Sequence, residues 1–169
     1  MRNTILIIIV LGFLSSCDIQ TDKNVKSKIT EKVDSSFYFK IRGATNYVSS
    51  KSGVYSKKYC NKTLYANFEL STLEINSIEE LFFKKELDTL PNNFALNCPI
   101  NIIPSFEEEI IIMFSGKQKN FFYNDDYECE DSTSKLIMKN QKMFIELIEK
   151  ILHEKKEIIE LENSDIIYF

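Results

Sequence analysis

The sequence predicts an α+β domain: an antiparallel sheet of about five strands with two helices packed on it, in the order βββ-α-ββ-α. Three patterns lead there. Residues 37–42 and 63–70 alternate apolar and polar side chains with period two, as half-buried strands do. Ile110-Ile111-Ile112-Met113-Phe114 is apolar without interruption, which suits a strand buried on both faces. Residues 135–156 repeat apolar side chains at helical spacing.

In order along the chain, Phe37, Phe39 and Ile41 alternate with Tyr38, Lys40 and Arg42, giving a first strand of aromatic and β-branched residues. Gly43 and the Ser- and Asn-rich residues 45–53 read as turn and loop. A second strand is expected over 54–60. A third covers 63–70, with Leu64, Ala66, Phe68 and Leu70 on one side. Two capping boxes compete for the start of the first helix, Ser71 with Glu74 and Ser77 with Glu80. Its stripe is Leu73, Ile78, Leu81, Phe82 and Lys85, and it must stop before Pro91, since the residue before a proline is pushed out of the helical region. Residues 92–104 are irregular. A hairpin follows, 107–115 out and 119–123 back around Gly116-Lys117. Asp131-Ser132-Thr133-Ser134 then caps the long helix, whose apolar face is Ile137, Met143, Phe144, Leu147, Ile148, Ile151 and Leu152. Lys139, Lys142, Glu146, Glu149 and Lys150 sit away from that face. The end, 157–161 and 165–169, offers a further edge strand.

Composition narrows the function. The chain of 169 residues has 21 basic and 25 acidic residues, a formal charge of −4. That balance offers no basic patch for a phosphate backbone, so a nucleic-acid partner is not expected. The sequence holds a single histidine, His153, and no Gly-x-Ser-x-Gly elbow. A nucleophile–base pair would have to be built around that one residue. The reading is therefore of a non-enzyme without a cofactor.

The first seventeen residues set the address. Met1-Arg2-Asn3-Thr4 is a short basic head, residues 5–14 are an apolar run with one glycine, and Leu14-Ser15-Ser16-Cys17 closes it. About ten apolar residues make a helix of roughly 15 Å. A bilayer core is about 30 Å thick, so such a helix cannot span it. Basic head, short apolar body and small residues describe a secretory signal. Leu14-Ser15-Ser16-Cys17 resembles the lipobox of bacterial lipoproteins. The resemblance implies a signal peptide over 1–16, cut before Cys17. It also implies a diacylglycerol on the Cys17 thiol and an N-acyl chain on its new amino group. Loss of 1–16 removes Arg2 and no acid, leaving 20 basic and 25 acidic residues and a charge of −5. Residues 17–36 read as lipidated cysteine and polar tether, reaching on the order of 25 Å as a random coil. Residues 37–169 read as the single domain. The localisation implied is the cell envelope, outside the cytoplasm. Asp18 resembles a retention mark for the inner membrane in one sorting scheme, and both membranes stay open.

Three cysteines follow Cys17. Export permits a disulfide, and the hairpin brings Cys129 back beside the start of its outgoing strand, a few residues after Cys98. The expected bridge is Cys98–Cys129, with Cys60 a buried thiol outside it. Asp125, Asp126, Glu128, Glu130 and Asp131 crowd one loop. The run reads first as a solvated acidic turn; calcium at Asp125, Asp126, Glu128 and Glu130 is the alternative that such oxygen density suits, though the loop lacks the glycine and ligand order of an EF-hand. Glu107-Glu108-Glu109 reads as a solvated strand start. Tyr38, Tyr47, Tyr55, Tyr59 and Tyr65 read first as the aromatic cover of an ordinary sheet, with a recognition face as the alternative. The expected function is an envelope lipoprotein whose small domain binds a protein or envelope partner or supports the envelope. An inhibitor or immunity-type lipoprotein that blocks an enzyme is the alternative. A divergent hydrolase, which would gather carboxylates of perturbed pKa in a cleft, comes last.

Overall fold

The computed structural model describes residues 36–100 and 105–161. Within them the chain runs β1 (Tyr38–Arg42), β2 (Asn46–Ser49), β3 (Val54–Lys58), β4 (Thr63–Asn67), α1 (Thr72–Lys84), a 3-10 turn (Leu87–Thr89), β5 (Glu108–Phe114), β6 (Lys117–Tyr123), α2 (Ser132–His153) and α3 (Lys156–Ile159). The class is α+β, with one antiparallel sheet ordered β4-β3-β2-β1-β5-β6. The expected sheet of about five strands is corrected to six among the described residues, and the order to ββββ-α-ββ-α-α.

The added strand is β2, in the segment read as loop. Its serines hid it. Ser49 is buried, and Ser50 Oγ both accepts from Phe39 N–H at 2.8 Å and lies 3.2 Å from Phe39 O, so polar side chains here satisfy backbone groups of β1. Val48, opposite Ile41, supplies the apolar contact to the core. The true turn is 50–53. Gly53 closes it at φ +62°, where a Cβ would lie 2.5 Å from Phe68 O, so a side chain is excluded twice over.

Register places the core. Phe39 faces Ile112, Ile41 faces Ile110 and Val48, and Tyr55 faces Ala66 and Val48. All are buried and share one cluster with Ile78 and Phe82 of α1, Phe144, Ile148 and Leu152 of α2, and Ile158 of α3. The helices thus cover one face of the sheet. Phe82 is its aromatic hub, with the rings of Phe37, Phe114 and Phe144 at 5.9, 5.3 and 5.8 Å. The alternate residues, among them Tyr38, Tyr47 and Tyr65, form the opposite face.

Caps decide the helix ends. Of the two competing boxes, Ser71 with Glu74 forms: Glu74 N–H donates to Ser71 Oγ and Ser71 N–H donates to Glu74 Oε2. Ser77 lies inside the helix, its hydroxyl donating to Leu73 O. Leu73, placed by the sequence on the apolar stripe, is 78% exposed, because five residues before the buried Ile78 is about 140° around the helix from it. On α2 the cap is Asp131, accepting from Ser134 N–H at 2.8 Å, so the helix starts at Ser132 and ends at His153, earlier at both ends than expected. Met143 is exposed and Ile145 takes its place in the core. Gln141, fully buried, donates from Nε2 to Phe122 O at 3.4 Å. After α2 the chain makes the one-turn α3 in place of part of the expected strand. Lys155, ahead of α3, pairs with Glu74 of α1 at 2.7 Å. The 165–169 strand, the leader, Cys17 and the tether lie outside the described residues.

Cys98 and Cys129 are bonded, with Cα atoms 4.9 Å apart. An Ile100–Tyr127 bridge and Glu128 N–H donating to Pro99 O at 2.9 Å hold the two segments side by side. Leu96, Tyr127 and Cys129 form a small second core there. Cys60 is exposed, a correction to the buried thiol expected from the sequence. It lies just past the end of β3, where the chain turns back into β4.

Candidate functional site

One side of α2 carries Lys142, Glu146, Glu149 and His153 at i, i+4, i+7 and i+11, a single stripe. Beneath it the sheet sets Glu108 of β5 opposite Tyr123 of β6. The loop after β6 adds Asn124, Asp125 and Asp126. With Phe106 and Ile145, all of these side chains except His153 line a cleft of about 280 Å³. A smaller hollow of about 60 Å³ continues toward the end of α2, reaching Asn46, Tyr55 and His153. Glu108, Ile145 and Glu149 line both.

The loop is held by its own side chains. Asp126 N–H donates to the Oδ1 of buried Asn124 at 2.9 Å, Asn124 Nδ2 donates to Ser105 Oγ at 2.8 Å, and Ser105 Oγ donates to Asp126 Oδ2 at 2.7 Å. Tyr123 Oη donates to Asp125 Oδ1 at 2.9 Å, and Lys142 Nζ reaches the same oxygen at 2.6 Å. The Lys142 contact, aided by Tyr123, holds the Asp125 carboxyl below its usual range, and Asp125 in turn raises Lys142.

Glu108 behaves in the opposite way. Burial pushes its carboxyl up, the charge of Glu149 adds to the push, and a hydrogen bond from Asn46 opposes both. Gly43 allows that last contact: a Cβ there would come within 2.0 Å of Asn46 Oδ1 and 3.0 Å of Glu108 Oε1. Glu149 is also raised, chiefly by burial; His153 opposes this, while Asp125 and Glu146 reinforce it. The cleft therefore holds two carboxyls raised by burial and like charge, and one lowered by a cation.

A pH dependence follows. A carboxyl whose folded pKa exceeds its unfolded value costs stability above the unfolded value, and the cost vanishes as pH falls below it. Asp125, whose folded value is depressed, contributes in the reverse sense: its stabilisation is present above the unfolded pKa and lost as pH falls through the folded one. Glu108→Gln keeps the shape and removes the charge. It is expected to stabilise the fold at pH 7.5 by about 1 kcal/mol. The gain should fade as the pH is lowered through 4.5, the ordinary glutamate value. Thermal melts of both proteins at pH 7.5 and 4.0 check this; an equal gain at both pH values would contradict it.

The acids of the 125–131 loop take different partners. Asp125 turns to Lys142 and Tyr123, Asp126 to Ser105, and Asp131 to the start of α2, while Glu130 is exposed. Glu128, exposed, sits between the Ile100–Tyr127 bridge and the disulfide. Among the described residues no group of three or more His, Cys, Asp or Glu side chains is placed to hold a metal ion. The 107–109 run divides: Glu109 pairs with Arg42 at 2.8 Å, Glu107 accepts from Tyr127 Oη, and Glu108 enters the cleft. The tyrosines divide too. Tyr55 and Tyr59 are buried and Tyr65 is 66% exposed, so the five do not make one face.

No family model and no curated protein matches the chain. Among the described residues no helix is long and apolar enough to cross a membrane.

Proposed function

We propose that this chain is a bacterial envelope lipoprotein, anchored through acyl chains on Cys17, whose domain binds a basic group of a protein partner in the cleft beside α2 and catalyses nothing. The observation that carries the binding half is the charge of that cleft. Glu108, Asp125, Asp126, Glu146 and Glu149 line it together with Lys142, and His153 lines the adjoining hollow. A lysine or arginine side chain of a partner would offset the burial that chiefly raises Glu108 and Glu149, and the like charges that add to it. Charges of this kind govern partner choice and association rate more than raw affinity. The anchoring half is supported by the leader and the lipobox-like Leu14-Ser15-Ser16-Cys17.

Capture from native membranes tests the cleft. The full-length protein is expected to retain a partner whose yield falls with rising salt. The triple variant Glu108→Gln, Glu146→Gln, Glu149→Gln should retain it at least tenfold less. Equal capture at every salt concentration would remove the cleft from the interface. If the partner is an enzyme that loses activity in the complex, the inhibitor form of the reading holds.

A second reading, a carboxylate hydrolase, is favoured by the opposed shifts of Glu108 and Asp125 in one cleft, the pattern that assigns acid and base roles. Against it, Asp125 is already engaged by both Lys142 and Tyr123. Turnover of any envelope polymer that vanished in Glu108→Gln would favour this second reading over the first.

A further inference from the structure

We infer that β4 pairs edge to edge, antiparallel, with β4 of a second copy of this chain. The two ends of the sheet are finished differently. At the β6 end, Phe94 N–H donates to Asn120 O, Phe122 N–H donates to Phe94 O at 2.8 Å, and Asn120 N–H donates to the Asn92 side chain. That edge is closed. At the other end, Tyr59 N–H donates to Lys62 O and Phe68 N–H donates to Gly53 O. Together with the register of β3 and β4, these bonds turn residues 62, 64, 66 and 68 inward. The N–H and C=O groups of Thr63, Tyr65 and Asn67 therefore point off the sheet. Among the described residues no strand pairs with them.

The composition of this edge selects its occupant. Strands left open in monomers usually carry lysine, proline or a bulge that discourages pairing. Thr63-Leu64-Tyr65-Ala66-Asn67 has no charge and no proline. Two like edges of this chain therefore do not repel, although the chain as a whole is acidic. A two-fold axis through Tyr65 sets Tyr65 against Tyr65 and Thr63 against Asn67 twice, a self-complementary contact in which each outward donor meets an acceptor. Aromatic and hydroxyl–amide pairs of this kind favour cross-strand contact. Three outward residues bury less than the roughly 1,000 Å² typical of tight complexes, so the dimer is a weak one.

Cysteine cross-linking of the full-length protein in its cell envelope, in a Cys60→Ser background, reads the register. A disulfide needs Cα atoms within about 7 Å. Tyr65→Cys is expected to form a covalent dimer. Thr63→Cys alone is not, since two copies of residue 63 would lie about 13 Å apart at the strand rise. Thr63→Cys co-expressed with Asn67→Cys should link. Tyr65→Pro removes an N–H that points off the sheet and leaves the β3 ladder intact. It should keep the melting temperature within a few degrees and cut the 63–67 link at least tenfold. If that variant fails to fold, the cysteine pattern stands by itself. The inference is overturned if Tyr65→Cys links no more than the exposed Lys84→Cys, or if 63–63 links as well as 63–67. It is equally overturned if residue 65 instead links to a cysteine placed within 162–169 of its own chain, or to another protein.

Discussion

Cys17→Ser is expected to abolish lipidation and leave the leader uncut. Two acyl chains of roughly fifteen carbons each, at about 0.8 kcal/mol per buried CH₂, contribute on the order of 20 kcal/mol to membrane partition, against which a polar tether contributes almost nothing. Loss of the thiol removes the site of the first transfer, and with it the processing that depends on that transfer. A fatty-acid label should fall to background in the variant. The variant should also be heavier than the unlipidated mature polypeptide by the mass of residues 1–16. Mass spectrometry of the wild-type protein gives the complementary result: a modified cysteine at the mature terminus. An unmodified terminus downstream of residue 17, on protein recovered in buffer, would overturn the anchoring proposal.

The next largest effect is expected from Cys98→Ser with Cys129→Ser. The bridge spans 31 residues of sequence. Closing a loop of that length removes chain entropy from the unfolded state worth about 3–4 kcal/mol. A domain of this size has a total stability of about 5–15 kcal/mol, so the double variant should melt about 10–15 °C lower. Reductant added to the wild-type protein should produce the same shift. Because Leu96, Tyr127 and Cys129 form a cluster apart from the main core, amide exchange should rise first around 94–100 and 124–130, with the β1–β5 centre last. Peptide mapping without reductant that found Cys60 in the bridge would contradict the assignment.

Much of the fold could be read from periodicity because the deciding side chains were apolar. Phe37, Phe39 and Ile41 alternate plainly, and Ile110–Ile112 could be nothing but core. β2 could not be read, because its burial is carried by Val48 ahead of two serines, and the second of these serves the neighbouring backbone with its hydroxyl. Gln141 was hidden for a similar reason: a carboxamide inside an apolar face has no sequence signature. The cleft was half legible. The loop acids were conspicuous and read first as a solvated turn, but the bonds that tie Asp125 to Tyr123 and Lys142, and Asp126 to Ser105, have no local signature. The i, i+4, i+7 spacing of Lys142, Glu146 and Glu149 was present in the sequence. Its meaning depended on Glu108 arriving from β5, a long-range contact that no local pattern encodes.

For the exported chain proposed above, crossing a membrane from its amino end, the pairing of β1 with β5 would carry a cost. The Arg42–Glu109 contact joins residues 67 apart. Strands β1 to β4 can zip as a meander as soon as they emerge, but the inner edge of β1 then waits, bare and aromatic, until residues past 108 have followed. Non-local pairing of this sort is slow and leaves nascent chains sticky. During that interval the half-delivered polypeptide is at its most vulnerable to clumping and to proteases, and a holding chaperone on the far side of the translocon would find its target there.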